Sequence, residues 1–142
     1  MITVRLLRAE EAHVLENVAP DVFDHAVDPM QSAAFFADPR HHLAVALDGA
    51  LVVGMASAVE YYHPDKPPAL WVNEVGVAPD YRRRQLGKRL MDTLLKHGRS
   101  LGCTEAWVGT ELENEAARRL YEASGGGAGE PFVMYTFPLG SD

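Results

Sequence analysis

The chain has 142 residues, of which 47% are hydrophobic and 23% charged, a composition that predicts a single folded domain over residues 1–142. No apolar run approaches the roughly 18 residues that cross a membrane, and the N-terminus lacks the pattern of a secretory leader. The single cysteine, Cys103, excludes an internal disulfide and is typical of a small buried residue rather than a nucleophile. We therefore expect a cytoplasmic protein with no membrane partner.

Charge is distributed unevenly along a chain whose net charge is −7. Residues 1–70 carry −6 and residues 100–142 carry −5, whereas residues 71–99 carry +4. Residues 82–84 are the main basic cluster, and they lack the aromatic platform of a nucleic-acid binder, so no nucleic-acid partner is expected. A cationic middle between anionic flanks predicts one anionic and one cationic ligand, with solvated surface charge as the alternative.

The first part of the chain contains one strand pattern and two helix patterns. Residues 4–7 are predicted to form a short strand, and residues 9–18 a helix with apolar residues at helical spacing. Asp28 followed by Pro29 predicts the start of a second helix, which should end near Asp38.

Three strands are predicted to follow. Asp48 and Gly49 are typical of a two-residue hairpin turn, and they join strand-like runs at residues 42–47 and 51–62. A further strand is predicted over residues 70–77, after a proline-rich loop.

The second half of the chain contains a β-α-β crossover. A helix with a leucine stripe is predicted over residues 85–100, a strand over 104–109, a helix over 114–124, and a closing strand over 132–137. The element order predicts an α/β (α+β) fold with a mixed, mostly antiparallel central sheet and helices on both of its faces.

A basic loop joins the strand over residues 70–77 to the helix predicted from Gln85. The first turn of a helix has free backbone N–H groups and the positive end of the helix dipole, and three arginines lie directly upstream. Gly87 would let a phosphate approach the backbone closely. The segment therefore predicts a pyrophosphate cradle over residues 83–88, with a basic capped helix without ligand as the alternative.

Two motifs in this half of the chain carry a family resemblance. Residues 82–87 read Arg-Arg-Arg-Gln-Leu-Gly, similar to the pattern Q/R-x-x-G-x-G/A, with Gln85 at a position predicted to be helical in place of the usual first glycine. Residues 114–125 are similar to the helix pattern N-x-x-A-x-x-L-Y-x-x-x-G. Together the motifs resemble the GNAT superfamily of acetyl-CoA-dependent N-acetyltransferases.

This resemblance implies a sheet that is splayed at a strand bulge and a site for acetyl-CoA as co-substrate. Gly76 is the expected position of the bulge, which would turn backbone groups of Val75 and Val77 toward the pantetheine arm. Asn114 would contact the same arm or cap its helix. The cofactor-binding residues implied are Val75, Val77, Arg82, Arg83, Arg84, Gln85, Leu86, Gly87, Lys88 and Asn114.

Attack of an amine on a thioester requires a base, because most amines are protonated at neutral pH. Glu74 lies in an otherwise apolar strand, where a carboxylate is costly unless it is paired or used. The resemblance implies that Glu74 is the general base and Tyr121 the general acid, the alternatives being a structural ion pair and a core tyrosine. The histidines lack metal-ligand spacing, so no metal is expected.

Acidic side chains in both flanks predict a polycationic small-molecule amine as the acceptor. The residues expected to bind it are Asp24, Asp28, Glu60, Tyr61, Glu111 and Glu113. Residues 59–87 and 21–24 look like the type I aminoglycoside 3-N-acetyltransferases, which implies acetylation of the 3-amino group of an aminoglycoside antibiotic. The alternatives are a polyamine, metabolite or peptide amine as acceptor, and acyl-CoA binding without catalysis. The sequence also leaves a homodimer open.

Overall fold

A five-stranded sheet forms the centre of the computed structural model, which describes residues 1–140. Its strands are β1 (Ile2–Leu6), β2 (His41–Asp48), β3 (Leu51–Tyr61), β4 (Ala69–Val77) and β5 (Ala106–Trp107). They lie in sequence order; β1 to β4 are antiparallel neighbours and β5 runs parallel to β4. The prediction of a mixed, mostly antiparallel sheet is confirmed.

Helices and helical turns connect these strands. They are a 3-10 helix (Ala9–Glu16), α1 (Pro29–Ala37), a 3-10 turn (Pro79–Tyr81), α2 (Leu86–Ser100), and α3 (Glu115–Tyr121) with a π-helical continuation (Glu122–Gly126). Asp28 starts α1 as predicted, because its carboxylate accepts the backbone N–H of Met30 at 2.9 Å. The first predicted helix is a 3-10 helix rather than an α-helix, and its backbone is non-helical at Glu11, whose carboxylate is held 2.8 Å from Arg5.

The two faces of the sheet are covered by different elements. Gly54 on β3 faces α2, since a Cβ at this position would lie 3.2 Å from Leu90. Met55, the residue after Gly54, points to the other face of the sheet, and Gly76 of β4 pairs with it. Gly76 therefore lies on the face away from α2, where it contacts the backbone of Val22. The predicted layering, with helices on both faces, is therefore confirmed.

The apolar stripe of α2 supplies much of the core on its face of the sheet. Leu86, Leu90 and Leu94 are buried, as the leucine spacing predicts. Leu95, the fourth leucine of the predicted stripe, is half-buried, and Met91 is buried in addition. Each such side chain contributes roughly 1.5–3 kcal/mol on burial, so this stripe fixes α2, and with it the loop before α2, against the sheet.

The C-terminal part of the predicted sheet is wrong in two respects. β5 covers only Ala106–Trp107 of the strand predicted over residues 104–109, and residues 132–137 form no strand. Residues 132–137 pair with no strand within residues 1–140, so the outer edge of β5 stays open there and the large apolar side chains of residues 132–137 remain exposed.

Candidate functional site

The site is organised around an open edge of β4. β5 pairs with β4 only at Leu70 and Trp71. Beyond this point the strands diverge, and residues 72–77 have no neighbouring strand on that edge within the part of the chain that the structure describes. The divergence leaves strand backbone groups free to bind a ligand.

A bulge in β4 lies at the point where the strands diverge. Val72 pairs with Ala58 of β3, whereas Glu74 pairs with the preceding residue, Ser57. Asn73 is therefore the additional residue between two regular stretches of the ladder.

This bulge determines which backbone groups reach the open edge. The N–H of Ala78 donates to the carbonyl of Val53 on β3 at 2.8 Å, so by alternation Val75 and Val77 direct their backbone groups to the other side, the open edge. Leu70 directs its N–H toward β5. In a strand without the bulge, alternation from Leu70 would direct the backbone groups of Val75 and Val77 toward β3. The additional residue, Asn73, reverses this alternation, so these groups reach the open edge.

The bulge predicted at Gly76 is wrong in position, and the glycine serves a different contact. Gly76 pairs regularly with Met55, and a Cβ on Gly76 would overlap the carbonyl group of Val22. The segment around Val22 is held by its own hydrogen bond, from the N–H of Ala19 to the carbonyl of Val52 at 2.9 Å. Gly76 is therefore needed for the close approach of residues 19–22 to the sheet.

Glu74 is half-buried beside the bulge, on the sheet face that is covered by the Val22 segment. Its carboxylate makes no ion pair and no hydrogen bond with any group in residues 1–140. The structure therefore offers no partner for the alternative role of Glu74 as half of a structural ion pair.

Ser57 is a candidate site residue that the sequence did not single out. It is only 7% exposed, and its hydroxyl oxygen is buried without a hydrogen-bond partner among the described residues. Directly opposite residues on neighbouring strands have Cβ atoms roughly 4.5–5.5 Å apart, so the Ser57 hydroxyl and the Glu74 carboxylate form no direct hydrogen bond but are close enough for one water to bridge them. A serine in an apolar strand has no pattern that would distinguish it from a satisfied core serine.

The three arginines after β4 are exposed and free of carboxylate partners within residues 1–140. Arg82 donates through Nε to the carbonyl of Val77 at 3.2 Å, and the guanidinium of Arg84 lies 4.9 Å from the centre of the Tyr81 ring. Their positive charge is thus held near the open edge and is not neutralised by the protein.

The N-terminus of α2 lies directly after these arginines. No side chain caps it, so N–H groups of its first turn, at Leu86, Gly87 and Lys88, are free to bind an anion. The Nζ of Lys88 is 2.9 Å from Asp92 and half-exposed. The structure therefore brings the predicted cradle residues 83–88 together at one helix end.

Gln85 is not helical, and the prediction that it is was wrong. It is the residue before α2 and adopts a left-handed backbone conformation, with φ 63° and ψ 16°. This conformation costs a residue with a Cβ roughly 1–2 kcal/mol relative to glycine, which explains why the resembling pattern has glycine at this position. The substitution leaves backbone strain but still lets α2 begin in the predicted place.

Gly87 faces α3 rather than open solvent. A Cβ on Gly87 would lie 3.1 Å from Leu120, so the glycine lets α3 pack closely against α2. This contact gives Gly87 a packing role, and its closeness to a phosphate stays a prediction.

Asn114 and Tyr121 occupy the two ends of α3. The side-chain oxygen of Asn114 accepts the N–H of Ala117 at 3.1 Å, so the capping role is present, and the side-chain amide remains able to donate. Tyr121 is half-buried against the core, and burial raises the pKa of its phenol. The phenol is therefore protonated at neutral pH and able to donate a proton.

An open groove of about 760 Å³ lies between the first 3-10 helix and α1. It is lined by Asp24, by two further acidic residues, Glu16 and Asp21, and by the ring of Phe23. Val22, which contacts Gly76, belongs to the same segment, so the groove adjoins the sheet face that carries Glu74. Asp28 lies at the end of this segment with its carboxylate engaged as the cap of α1.

Glu60 and Tyr61 do not share a face of the sheet. Tyr61 alternates with Ser57 and lies on the Glu74 face, half-buried beside His63. Glu60 points to the α2 side, where it is buried and its carboxylate lies 3.9 Å from His42. The structure therefore separates Glu60 from Tyr61 and from the groove that Asp24 lines.

Glu111 and Glu113 lie in the exposed loop that precedes α3. Their carbonyls accept backbone N–H groups at 3.0 and 2.9 Å, and their carboxylates make no ion pair within residues 1–140. Neither residue lines the groove that contains Asp24.

The partly buried His42 predicts a pH dependence of stability. Burial, followed by the nearby His97 ring, lowers the pKa of His42 to about 4, and the Glu60 carboxylate is too distant to form a hydrogen bond that would offset this. In the unfolded chain His42 binds a proton near pH 6.5, whereas in the folded chain it does so only near pH 4. The free energy of unfolding is therefore unaffected by His42 above pH 6.5 and decreases as pH falls toward about 4, by on the order of 1–3 kcal/mol. Urea unfolding at several pH values should show this decrease in the free energy of unfolding for the unmodified chain and for the control His13→Gln, but a much smaller decrease for His42→Gln. An equal dependence of the free energy of unfolding on pH in all three proteins would contradict this role of His42.

Residues 1–140 contain neither a membrane-spanning helix nor a metal-binding cluster of side chains. No helix there is long and apolar enough to cross a membrane. No group of three or more histidine, cysteine, aspartate or glutamate side chains in that range is arranged to hold a metal ion.

Comparison with known proteins gives a family match over most of the chain. Residues 7–126 match the acetyltransferase (GNAT) family. N-alpha-acetyltransferase RimI of Mycobacterium tuberculosis is 32% identical over 101 residues, which cover 69% of this chain and 61% of RimI. Aminoglycoside N(6')-acetyltransferase type 1 of Salmonella typhimurium is 27% identical over 100 residues, which cover 66% of this chain and 69% of that enzyme.

Solved structures match the fold over nearly the whole chain. AAC(6')-Iy in complex with the bisubstrate analog CoA-S-monomethyl-acetylneamine superposes with a TM-score of 0.79 at 18% identity, covering 98% of this chain and 99% of that one. An aminoglycoside acetyltransferase from an uncultured soil metagenomic sample, in complex with sisomicin, gives a TM-score of 0.81 at 16% identity, covering 98% and 97%. At these identities the likeness concerns the fold.

Proposed function

The chain belongs to the acetyltransferase (GNAT) family, and from that premise we propose that it transfers the acetyl group of acetyl-CoA to an amino group of an aminoglycoside. One observation carries the proposal: Glu74, a half-buried carboxylate without a partner in residues 1–140, lies beside the open edge of β4, on the sheet face that adjoins the acidic groove. This position supports a role for Glu74 as the base that serves an anionic donor at the edge and a cationic acceptor in the groove.

The residues present fit acetyl-CoA. Its pyrophosphate is an anion, which matches the free N–H groups at the start of α2 and the unpaired arginines 82–84. Its pantetheine arm carries amide groups, which match the backbone groups of Val75 and Val77 at the open edge. When bound, acetyl-CoA supplies the thioester from which the acetyl group leaves.

Removing charge from the cradle should weaken acetyl-CoA binding specifically. We expect Arg83→Ala/Arg84→Ala to raise the KM for acetyl-CoA at least several-fold, because two unpaired guanidinium groups near the pyrophosphate are lost. Arg99→Ala, at the opposite end of α2, is the matched control and should leave this KM unchanged. Equal KM values in all three proteins would contradict the cradle.

Glu74 and Tyr121 divide the proton transfers of the reaction. An acceptor ammonium must lose a proton before its nitrogen attacks the thioester carbon, and Glu74 takes that proton directly or through one water. Tyr121 donates its hydroxyl proton to the thiolate that leaves as the carbon–sulfur bond breaks. The nitrogen loses a second proton as the amide forms, and solvent returns this proton to the Tyr121 phenolate, so the net products are the amide, free CoA and the proton held by Glu74. The Ser57 hydroxyl, which has no partner in residues 1–140, lies opposite Glu74 on β3 and is a candidate to orient its carboxylate through one water.

The acidic groove supports a polycationic acceptor. Asp24, Asp21 and Glu16 line it, and an exposed ion pair contributes only about 0.2–1 kcal/mol, so several carboxylates must act together to hold such a ligand. The names of relatives agree with this acceptor class, since one is an aminoglycoside N(6')-acetyltransferase and a structural neighbour holds sisomicin.

The amino group that is attacked is the finer part of this proposal. The motif resemblance favours the 3-amino group, whereas the related aminoglycoside enzymes are named for the 6'-amino group. The 3-amino group stays a prediction, and nuclear magnetic resonance of the product distinguishes it from the 6'-amino group by the carbon that carries the new amide.

A peptide amine is a second candidate acceptor, because RimI is an N-alpha-acetyltransferase and is 32% identical over its matched region. A panel of an aminoglycoside, a polyamine and an N-terminal peptide, assayed by release of free CoA, separates the candidates. We expect the highest kcat/KM for the aminoglycoside. A preference for the peptide would replace the acceptor proposal, and acetyl-CoA binding without turnover on any amine would contradict enzymatic function.

Salt should weaken acceptor binding more than cofactor binding. We expect the aminoglycoside KM to rise steeply from low to high salt, because exposed ion pairs are screened, while the acetyl-CoA KM, which depends partly on backbone contacts, changes less. Asp24→Asn/Asp28→Asn should raise the aminoglycoside KM, and asparagine at position 28 can still cap α1. Glu111→Gln/Glu113→Gln tests in the same way the two acceptor residues that are predicted in the other acidic flank of the chain. Glu105→Gln/Glu122→Gln is the charge-matched control, and an equal rise in that control would contradict specific acceptor contacts.

A further inference from the structure

The two tryptophans of the chain, Trp71 and Trp107, are neighbours in the sheet. Trp71 of β4 is paired with Trp107 of β5 in the register of these parallel strands. Neighbouring strands lie roughly 4.8 Å apart, so the two side chains leave the sheet next to each other. They do so at the point where β4 and β5 diverge, and they are called the tryptophan pair below.

The tryptophan pair points away from α2. Leu70, the residue before Trp71, faces α2, because its side chain lies 3.1 Å from the position of a Cβ on Gly98 of that helix. Trp71 therefore points to the other face by alternation, and Trp107, its partner in the ladder, points the same way.

The bulge in β4 brings Trp71 and Glu74 to the same face of the sheet. These residues are three positions apart, so in a regular strand their side chains would point to opposite faces. With the additional residue of the bulge between them, Trp71 pairs with Val59 and Glu74 with Ser57, which are alternate residues of β3. The tryptophan pair is therefore on the face of the candidate base and adjacent to it.

Core packing does not account for the tryptophan pair. Trp107 is 48% exposed and Trp71 is half-buried. Among residues 1–140, the partly buried apolar side chains that pack against the core include Val75, Val77 and Tyr121 of the same site, but neither tryptophan. An aromatic surface that stays open beside a candidate base is available for contact with a substrate.

We propose that the tryptophan pair binds an amino-sugar ring of the acceptor beside Glu74, a role that rests on the proposed acetyl transfer to an aminoglycoside. The face of an indole attracts an ammonium group that lies within about 6 Å of the ring centre. An amino-sugar ring presents such ammonium groups together with apolar C–H groups that pack on the indole. A linear polyamine has the ammonium groups but no ring, so the pair favours an aminoglycoside over a polyamine.

The charges near the tryptophan pair favour a cationic occupant over the phosphates of CoA. The sequence has no lysine or arginine in residues 67–81, which contain β4, or in residues 100–117, which contain β5. Glu111 follows Trp107 by four residues, a separation of at most roughly 14 Å, and its carboxylate makes no ion pair within residues 1–140. It is therefore close enough to attract a further ammonium group of an acceptor with several rings.

Fluorescence tests this binding directly, because every tryptophan of the chain belongs to the pair. Sisomicin, an aminoglycoside without an aromatic group, is added to the Trp71→Phe variant that is already saturated with CoA. We expect a saturable change in the emission of Trp107, and a much smaller change with the same concentration of spermine, a linear polyamine. An unchanged emission with sisomicin, or an equal change with spermine, would overturn the proposal.

Kinetics test the contribution of the aromatic ring at position 107. We expect Trp107→Ala to raise the KM for sisomicin about three- to tenfold, the scale of one cation–π contact, with little change in kcat or in the acetyl-CoA KM. Trp107→Phe, which keeps an aromatic ring, should reverse most of this rise. Tyr62→Ala, at an aromatic residue that is 63% exposed beside Arg40, is the matched control and should leave all three constants unchanged. An unchanged sisomicin KM in Trp107→Ala, or no recovery in Trp107→Phe, would contradict the role of the ring.

Binding and turnover of sisomicin can fail independently of each other. If the unmodified chain acetylates sisomicin but neither the fluorescence nor the KM depends on Trp107, the tryptophan pair is no sugar site and the proposed acetyl transfer stands. If sisomicin changes the emission of Trp107 but is not acetylated, the pair binds the ring as proposed and the proposed acetyl transfer is wrong.

Discussion

Replacing Glu74 with glutamine is expected to lower kcat by about 10²-fold, the scale of lost general-base catalysis, while the fold and the KM for acetyl-CoA are retained. Glutamine has nearly the same shape but cannot take a proton from the acceptor ammonium. The loss should shrink as pH rises, because more of the acceptor amine is then neutral without help from the protein. Steady-state rates between neutral and alkaline pH, with both substrates varied, measure both effects.

Matched variants separate catalysis by Glu74 from general effects of lost charge. Glu105→Gln removes a carboxylate from an exposed position away from the open edge of β4 and should retain full turnover. Ser57→Ala should shift the pH profile of kcat without a comparable change in KM, if the hydroxyl orients Glu74. Full activity of Glu74→Gln at neutral pH would mean that another group or water is the base.

Gly76→Ala is expected to be the most damaging small substitution in the site. A methyl group at this position would overlap the Val22 carbonyl, which is backbone and cannot rotate away. Either the sheet or the Val22 segment must move, and overpacking of this kind costs about 1–3 kcal/mol or more. Urea unfolding should therefore show a clear loss of stability.

Kinetics of the Gly76→Ala variant should show whether the sheet or the Val22 segment has moved. The Val22 segment also carries Asp24 and one wall of the acidic groove, so the acceptor KM should rise more than the acetyl-CoA KM. Gly129→Ala is the control, because a Cβ there meets no atom within 4 Å and should leave stability and kinetics unchanged. A fully stable and active Gly76→Ala chain would contradict the close contact between the Val22 segment and β4.

Features that depend on local sequence could be predicted. The start of α1 at Asp28 and Pro29, and the basic loop that leads from β4 into α2, both follow from residues adjacent in the chain. The leucine stripe of α2 predicts its buried face for the same reason. These elements position the candidate cradle, which explains why the donor side of the site was accessible to sequence reasoning.

Features that depend on pairing between distant residues could not be predicted as well. The bulge lies at Asn73 because β3 and β4 adopt a particular register, and no residue type marks that position. The exposed state of residues 132–139 depends on whether a partner strand is present, which their strand-like pattern does not indicate. The left-handed conformation of Gln85 was missed because only its comparison with glycine in the resembling motif points to it.

One misplacement could have been avoided from the sequence. Glu60 and Tyr61 are adjacent in a predicted strand, and adjacent strand residues point to opposite faces, so they could not both face the acceptor. The structure places Tyr61 on the Glu74 face and buries Glu60 beside His42. Alternation alone would have shown that one of the two had to be excluded.

The proposed reaction is direct acetyl transfer from acetyl-CoA to an aminoglycoside, without an acetylated enzyme. Cys103, the single cysteine, is half-buried, and burial raises the pKa of its thiol, so it holds little reactive thiolate at neutral pH. The most direct test is the rate of CoA release over a grid of acetyl-CoA and aminoglycoside concentrations. Direct transfer predicts saturation by both substrates and intersecting lines in double-reciprocal plots, as a ternary complex requires. Parallel lines, or CoA release no faster than with the aminoglycoside omitted, would contradict it.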